Sequence, residues 1–283
     1  TWHTAVSYAD GWRSWGTQLA AERRWSAGHR SNTDYDITTL SWKVSKNSSR
    51  GPLDLVFGAS EKDFGADNFY APFPSREETQ TLWLTAGGDL DIGNGSTLSP
   101  QLSYRRHTDD FVLDRTRPAW YANHHVTDLL EGAIRPVVPL GNLGDVALLA
   151  EWTEELIESS ALGNHDETRL AGAVEHRFPL PASTTFVWGL RLDDHSQYGT
   201  ELAPAAGFAY RLSPSLKLTA SVNRAFRAPT FTERFYVDPS NVGNPELRAE
   251  TAWAYDLGAS LSPSDELAAV SYTHLRAHET VLD

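Results

Sequence analysis

The sequence predicts an all-β fold built from antiparallel strands, and three observations carry this prediction. Apolar and polar residues alternate along most of the 283-residue chain, which is the period of strands whose two faces meet different media. The segments between these strands alternate between short turns and long loops. No run of about 18 apolar residues occurs, so the sequence predicts no transmembrane helix.

About fourteen segments show this alternation, and most are near the ~9 to 11 residues that cross a bilayer at a tilt. In the clearest example Leu218, Ala220 and Val222 alternate with polar residues. A tight turn is expected at Asp10-Gly11, between the first two strands. The predicted strands run over residues 2–9, 12–25, 35–45, 53–59, 79–91, 97–107, 123–138, 145–155, 168–178, 184–193, 201–212, 216–226 and 253–261.

The connections indicate which kind of β fold this is. Short turns rich in Gly, Pro, Asn and Ser join the strands at one end, and long charged or aromatic loops join them at the other. Outer-membrane barrels show this asymmetry, which favours an antiparallel transmembrane β-barrel over a β-propeller, whose blades repeat every ~40 to 45 residues. Loops are expected over residues 26–34, 60–78, 108–122, 154–166, 194–200 and between 226 and 253.

Composition excludes several functions. The net charge of -13, without a basic stripe, argues against nucleic-acid binding. The chain has no cysteine, which excludes disulfides and thiolate chemistry. It also has no methionine, even at position 1, and opens in a strand-like pattern, so we expect a piece of a longer protein.

No catalytic motif is visible, and we predict that the protein is not an enzyme. A G-x-S-x-G elbow and Gly-rich phosphate loops are absent. His274 and His278 have the spacing of zinc ligands on a helix, but Glu does not follow the first His, so no metal site is predicted. An outer-membrane lipase or other barrel enzyme remains the alternative from a different functional class, and a soluble multi-strand domain is a third possibility.

Two motifs identify a family. Arg224-Ala-Phe-Arg-Ala-Pro-Thr230 ends one strand, and Gly243-Asn-Pro-Glu-Leu-Arg-Ala-Glu250 precedes the next. In this order and at this spacing they resemble the barrel region of TonB-dependent outer-membrane receptors. Residues 62–70, 74–79, 110–115 and 118–124 further resemble the cobalamin-receptor branch of that family.

The resemblance implies a fold and a function for the whole protein. The family builds a 22-stranded barrel around a plug domain, so residues 1–270 are expected to be an incomplete barrel of roughly 14 strands without the plug. The implied function is TonB-energised uptake of a scarce ligand, cobalamin or a related corrinoid, across the Gram-negative outer membrane. A ferric-siderophore receptor is the alternative. Expected partners are outer-membrane lipid, the small-molecule ligand and the TonB complex, which would bind a region before residue 1.

Aromatic residues in or beside the long loops are the candidate ligand contacts, because large flat ligands bind well to aromatic surfaces. A lipid-headgroup girdle is the competing interpretation. Arg224 and Arg227 are expected to share the lumen face and to contact the plug. The ligand-binding candidates are Phe69, Tyr70, Trp120, Tyr121, Phe235 and Tyr236.

Acidic residues and the tail complete the expectations. The acidic clusters Asp109-Asp110, His165-Asp166-Glu167 and Asp193-Asp194 are assigned to outer loops, where the resemblance to cobalamin-type receptors implies that calcium can bind. Their spacing matches no EF-hand, so we interpret these residues as charged side chains of solvent-exposed loops. Calcium bound by these loops is the one cofactor that the sequence suggests, and no residue is assigned as a metal ligand. Residues 271–283 break the strand pattern, are predicted to form a short helix, and resemble translated adapter sequence, so this tail is predicted to be non-native.

Overall fold

Antiparallel strands dominate the computed structural model of the chain. It describes residues 1–69, 71–181, 183–237, 242–264 and 267–279. The only helices in these ranges are α1 (Phe231–Phe235) and a 3₁₀ turn at Gly141–Leu143. The strands are β1 (Trp2–Trp12), β2 (Trp15–Ser26), β3 (Tyr35–Ser48), β4 (Gly51–Asp67), β5 (Pro74–Gly88), β6 (Leu90–Gly93), β7 (Ser96–Val112), β8 (Ala122–Pro139), β9 (Asp145–Ser159), β10 (Gly163–Leu180), β11 (Thr184–His195), β12 (Gly199–Ser213), β13 (Leu216–Arg227), β14 (Glu250–Ser264) and β15 (Leu267–Glu279).

The strands form one sheet in chain order. Each strand from β1 to β15 pairs with the next in antiparallel fashion, except that the short β6 leaves this path and pairs only with β7. The path contains fourteen strands. Thirteen correspond to the predicted segments, and the fourteenth, β15, lies largely in the tail for which a helix was predicted. β1 and β15 are its two edges, so the sheet described here does not close on itself.

The register gives the sheet two faces of opposite character, because residues directly opposite each other in neighbouring strands point the same way. The outer face carries exposed large apolar side chains on nearly every strand. The inner face carries charged pairs such as Lys43–Asp54 and Arg191–Glu151. This is the lipid-out, polar-in pattern of a transmembrane barrel wall. Outer-face apolar residues include Leu40, Trp42, Leu82, Leu84, Leu102, Ile134, Leu148, Leu170, Leu190, Leu192, Leu218 and Leu257.

Polar residues mark where the outer apolar band ends. Tyr104 donates a 2.6 Å hydrogen bond to Asp128, and Arg106 lies 3.8 Å from the same carboxylate, all on the outer face. Tyr104 is the ninth residue of β7, which begins at Ser96. Nine strand residues at ~3.3 Å each, tilted by about 40°, rise close to the ~25 Å of such a band. The rest of β7 extends beyond the lipid.

This extension corrects the predicted loops. The insertion expected over 60–78 shrinks to a connection at residues 68–73, and the loops expected over 154–166 and 194–200 shrink to residues 160–162 and 196–198. Hydrophobic alternation signals a strand only while its faces meet lipid and lumen. Above the band both faces meet water, so paired strands there lose the period-two pattern and resemble loops in sequence.

The first turn was also predicted in the wrong place. β1 continues through Asp10-Gly11, and the turn lies at residues 13–14, with Trp12 opposite Trp15. Asp10 accepts hydrogen bonds from the Tyr8 hydroxyl and the Gly11 N–H, so it is satisfied within the strand. Arg13 adopts the left-handed conformation that the tight turn needs.

The predicted helix in the tail is wrong. Residues 267–279 form β15, which pairs with β14 from Ser264↔Leu267 to Thr251↔Glu279. In a strand His274 and His278 lie about 13 Å apart along the chain, too far to share one metal. The tail's non-native origin stays a prediction. None of the helices within the described ranges is long and apolar enough to cross a membrane.

Candidate functional site

The connection between β13 and β14 carries both family motifs and folds over the lumen. Its first part, residues 228–237, is called the mouth loop and contains α1. A capping box starts this helix: Thr230 Oγ1 accepts from the Glu233 N–H at 3.2 Å, and the Glu233 carboxylate accepts from the Thr230 N–H at 2.8 Å. The box satisfies two otherwise unpaired amides, which allows a helix of five residues to form here.

Arg227, at the end of β13, ties the loop to the sheet. One of its guanidinium nitrogens lies 2.9 Å from the carboxylates of both Glu233 in α1 and Glu250 at the start of β14. The Arg227 guanidinium, together with the Thr230 N–H, lowers the pKa of Glu233 to about 2. Glu233 therefore stays ionised near neutral pH in the folded protein. The contacts of Arg227 with Glu233 and Glu250 hold the two ends of the connection together.

Arg234 anchors the mouth loop to the barrel wall. Its side chain is only 5% exposed and forms an ion pair with Glu167 on the inner face of β10. The other Glu167 oxygen lies 3.3 Å from His195 Nε2, and Arg234 also donates to Gln197 Oε1 at 3.2 Å. A buried guanidinium with two partners fixes α1 against one position of the wall.

Aromatic residues of the mouth loop make two further contacts. The Phe235 ring stacks on His165 of β10, with centroids 3.6 Å apart and an interplanar angle of 7°. The Tyr236 hydroxyl lies 3.3 Å from that of Tyr121, which follows the β7–β8 loop. Tyr121 also accepts from Asn123 Nδ2 at 3.1 Å and packs edge-on against Phe111. The structure thus brings together three of the six predicted ligand contacts, Tyr121, Phe235 and Tyr236.

The remaining candidates lie on the loops around this group. Trp120 is 52% exposed, packs edge-on against Phe73 at 5.0 Å and lies under the Arg117 guanidinium at 4.4 Å. The Phe69 side chain is 76% exposed in the β4–β5 loop. Tyr70 lies outside the described residues. The aromatic surface therefore spans three loops, and we define it as Phe69, Trp120, Tyr121, Phe235 and Tyr236.

A cavity of about 340 Å³ lies beneath the mouth loop on the inner face. Residues 228–231 form its roof, and charged wall residues line its floor. Burial raises the pKa of Tyr198, at the β11–β12 turn, to about 12, so this tyrosine stays neutral. Its ring stacks on His195 at 3.8 Å. The wall residues are Leu129, Glu131, Thr153, Glu155, Glu167, Arg169, His195 and Tyr198.

A second set of contacts, the clamp, joins the β2–β3 and β7–β8 loops to strands β4 and β5. We define the clamp as Asn32, Asp34, Asp63, Arg76 and Arg115. Arg115 donates to Asn32 at 2.9 Å and to Asp34 at 3.2 Å, while Arg76 pairs with Asp34 and Asp63. The Asn32 amide donates to a backbone carbonyl in β5 at 2.7 Å. These contacts tie the β2–β3 and β7–β8 loops to each other and to strands β4 and β5.

The prediction for the two arginines is wrong in one respect. Residues 224 and 227 are three apart, so they cannot share a face of a strand. Arg224 lies opposite Trp253 and shares the outer face with Val222, and its guanidinium pairs with Glu201 at 2.9 Å. Arg227 lies on the other face but is held by Glu233 and Glu250. Contact of Arg227 with a plug stays a prediction.

The acidic pairs do not converge on one point. Asp109-Asp110 and Asp193-Asp194 lie in strands rather than in loops, so the two members of each pair face opposite sides. Asp193 is fully buried and receives two hydrogen bonds from Arg191 at 2.8 and 2.9 Å. In the part of the chain that the structure describes, no group of three or more His, Asp or Glu is arranged to hold a metal ion. Loop calcium stays a prediction.

Sequence reasoning missed the anchor of the mouth loop. His165 and Glu167 were assigned to solvated loop charge, and Arg234 was not singled out although it lies between the two motifs. One signal was available: His165 and Glu167 have strand spacing and would share a face if β10 extended above the membrane band. Nothing in the sequence indicates that α1 meets them across 67 residues.

Comparison with known proteins decides the family. The model of the TonB dependent receptor-like β-barrel family matches residues 2–277, nearly the whole chain. The chain belongs to this family. It is therefore the wall of a Gram-negative outer-membrane barrel, in agreement with the two faces of the sheet. The proteins it resembles are receptors and transporters rather than enzymes.

Individual relatives differ in ligand. The chain is 34% identical over 228 residues to the vitamin B12 transporter BtuB of Photobacterium profundum, covering 77% of this chain and 34% of that protein. It is 30% identical over 109 residues to the probable TonB-dependent siderophore receptor PirA of Acinetobacter baumannii, covering 32% of this chain and 14% of the relative. The chain thus spans about a third or less of these relatives.

Solved structures show the same fold. The siderophore receptor PirA of Pseudomonas aeruginosa superposes with a TM-score of 0.78 at 18% identity, over 96% of this chain and 51% of that one. A ferric enterobactin receptor, PfeA, from the same organism gives a TM-score of 0.79 at 16% identity, over 98% of this chain and 50% of that one. At such identities the likeness concerns the fold alone, and this chain covers about half of each receptor.

Proposed function

We propose that this chain is the barrel portion of a longer receptor that takes up cobalamin or a related corrinoid with energy from TonB. The observation that carries the ligand class is the match to a vitamin B12 transporter over 77% of this chain. The siderophore relative matches only 32% of it. The complete receptor would carry its plug and its TonB-binding segment before residue 1.

The aromatic surface is our candidate for ligand capture. Its rings come from three separate loops around a polar lumen, and the Tyr121 and Tyr236 hydroxyls lie 3.3 Å apart between two of these loops. Corrinoids present a large flat ring system with polar side groups, and tyrosines offer both a face and a hydroxyl to such a ligand. Trp120, 52% exposed beside Arg117, extends this surface outward.

A ferric-siderophore receptor is the second candidate, favoured by the fold likeness to two siderophore receptors. The aromatic surface also suits catecholate ligands, so the geometry alone does not choose. Chain coverage among relatives of at least 30% identity favours the corrinoid.

Ligand uptake in receptor-deficient strains tests the proposal. The complete receptor, expressed in a Gram-negative strain that lacks its own corrinoid receptor, is expected to restore TonB-dependent uptake of radiolabelled cyanocobalamin. A parallel strain that lacks siderophore receptors serves as the second arm, with ferric enterobactin as the probe. Rescue of siderophore uptake without corrinoid uptake would refute the ligand class while leaving the receptor function intact.

A further inference from the structure

The aromatic surface depends on contacts that lie below it. Tyr236 directly follows α1, and its backbone donates to the Thr232 carbonyl at 3.1 Å and accepts from the Gly243 N–H at 2.8 Å. The position of its ring is therefore set by the position of α1. What holds α1 in place also decides where Tyr236 and Phe235 meet a ligand.

Besides Arg227 at the end of β13, two wall residues hold α1, and both belong to β10. His165 and Glu167 are two positions apart on the inner face, and the ladder with β9 continues through both, as His165↔Ile157 and Glu167↔Glu155. In α1, Phe235 stacks on His165, and the adjacent Arg234 forms an ion pair with Glu167. A rigid paired strand thus presents one aromatic and one charged contact at fixed separation.

Burial makes this pairing specific. The Arg234 and Glu167 side chains are 5% and 10% exposed, His195 Nε2 lies 3.3 Å from the second Glu167 oxygen, and Gln197 Oε1 accepts a hydrogen bond from Arg234. If the mouth loop lifted, a buried carboxylate and a guanidinium would each lose their partner, which is costly in a site of low dielectric. The buried Arg234–Glu167 pair therefore favours the observed position of the loop.

We infer that His165 and Glu167 are positioning residues for ligand capture, acting through Phe235 and Arg234 to place Tyr236 against Tyr121. The inference rests on the proposed function where it concerns the ligand, but the loop geometry stands by itself. Their contact with the aromatic surface runs through Phe235, which stacks on His165.

Hydrogen–deuterium exchange of the complete, ligand-free receptor in detergent tests the loop geometry. Glu167→Gln and Arg234→Gln are each expected to speed exchange of the amides of residues 233–236 about tenfold, and the double variant no more than either alone, because all three remove the same pair. Glu131→Gln, which alters a carboxylate lining the same cavity without touching Arg234, is the matched control. Unchanged exchange in the single variants, additive effects, or an equal change in Glu131→Gln would overturn the inference.

Affinity tests the functional half. Glu167→Gln is expected to raise the dissociation constant for cyanocobalamin about tenfold, and to have no further effect in a Tyr236→Ala background, because it acts through that ring. A further loss in that background would show that Glu167 does not act through Tyr236 and would overturn the positioning role. If the wild type binds neither cyanocobalamin nor ferric enterobactin, the proposed function fails, while the exchange experiment still decides how α1 is held.

Discussion

The two groups of loops above the barrel are fixed in different ways. The clamp links the β2–β3 and β7–β8 loops to each other and to strands β4 and β5 through partly exposed ion pairs, with Arg76 24%, Asp34 34% and Arg115 40% exposed. The mouth loop is fixed to the wall by the Arg234–Glu167 pair, which is 5% and 10% exposed. Solvent screens the exposed ion pairs of the clamp, so the loss of one of them costs little stability. The buried Arg234–Glu167 pair is not screened in this way, so the loss of either partner costs much more.

The largest expected difference comes from removing one arginine from each group. Arg234→Ala leaves Glu167 buried with neither its main partner nor the amide donor that glutamine would supply, so it should destabilise the folded mouth loop by about 3 kcal/mol, more than Arg234→Gln. Arg115→Ala removes a partly exposed partner from the clamp and should cost about 1 kcal/mol or less. Exchange rates of amides in residues 230–236 and 30–34 measure the two effects. Equal rate changes in both segments would contradict the contrast between the groups.

Glycine substitutions compare the two groups through backbone contacts alone. A Cβ at Gly243 would lie 2.7 Å from the backbone of Arg234, and one at Gly65 would lie 2.5 Å from the Asn32 carbonyl oxygen. Each alanine variant should therefore cost about 1 to 3 kcal/mol of local stability. Gly207→Ala, whose Cβ meets its nearest atom at 3.9 Å, is the control. Limited proteolysis of the loops is the measurement, and wild-type resistance in both variants would show that neither contact is tight.

Lowering the pH should loosen the mouth loop, because protonation of Glu233 weakens its ion pair with Arg227. The folded pKa of Glu233, about 2, lies below its ordinary value near 4.5, so the stabilisation is fully present above that value and is lost as the pH falls toward 2. Intrinsic-rate-corrected exchange of residues 230–236 should be constant from pH 7 to about 5 and should rise below about 4.5. Glu233→Gln should abolish this extra rise. A variant with the same acid profile as the wild type would exclude Glu233 as its source.

The smallest effect is expected at the contact between loops. Tyr121→Phe removes the hydroxyl that faces Tyr236 and Asn123 but keeps the ring, and it should cost about 0.5 to 1.5 kcal/mol in cyanocobalamin affinity or less. Phe111→Leu, behind the same ring, is a matched packing control. Isothermal titration measures both. A loss beyond about tenfold in Tyr121→Phe would mean that this hydroxyl contacts the ligand directly.

Sequence predicts the membrane part of this chain well because lipid imposes a strict period of two. Leu218, Ala220 and Val222 indicate their face without any knowledge of neighbours, and the same rule applied to each strand gives the chain order of the sheet. The motifs at Arg224 and Gly243 add the family. Above the lipid this signal vanishes, which is why β4 and β10 were cut short and why Asp109 and Asp193 were placed in loops.

The site itself could be predicted only in part. Aromatic residues in long loops point to Tyr121 and Tyr236, but their meeting depends on where the mouth loop folds. That position depends on the pairing of Arg234 with Glu167, a contact between segments 67 residues apart. No local pattern encodes such a pair, because both residues read as ordinary surface charges until the barrel wall brings them together.

Equilibrium binding of cyanocobalamin to the complete receptor, with and without Tyr236→Ala, tests the central claim most directly. We predict saturable binding by the wild type and a dissociation constant at least about tenfold higher in the variant, in line with an aromatic contact worth roughly 1.5 kcal/mol. Binding of ferric enterobactin in place of cyanocobalamin, or equal affinity of both proteins for the corrinoid, would contradict the account.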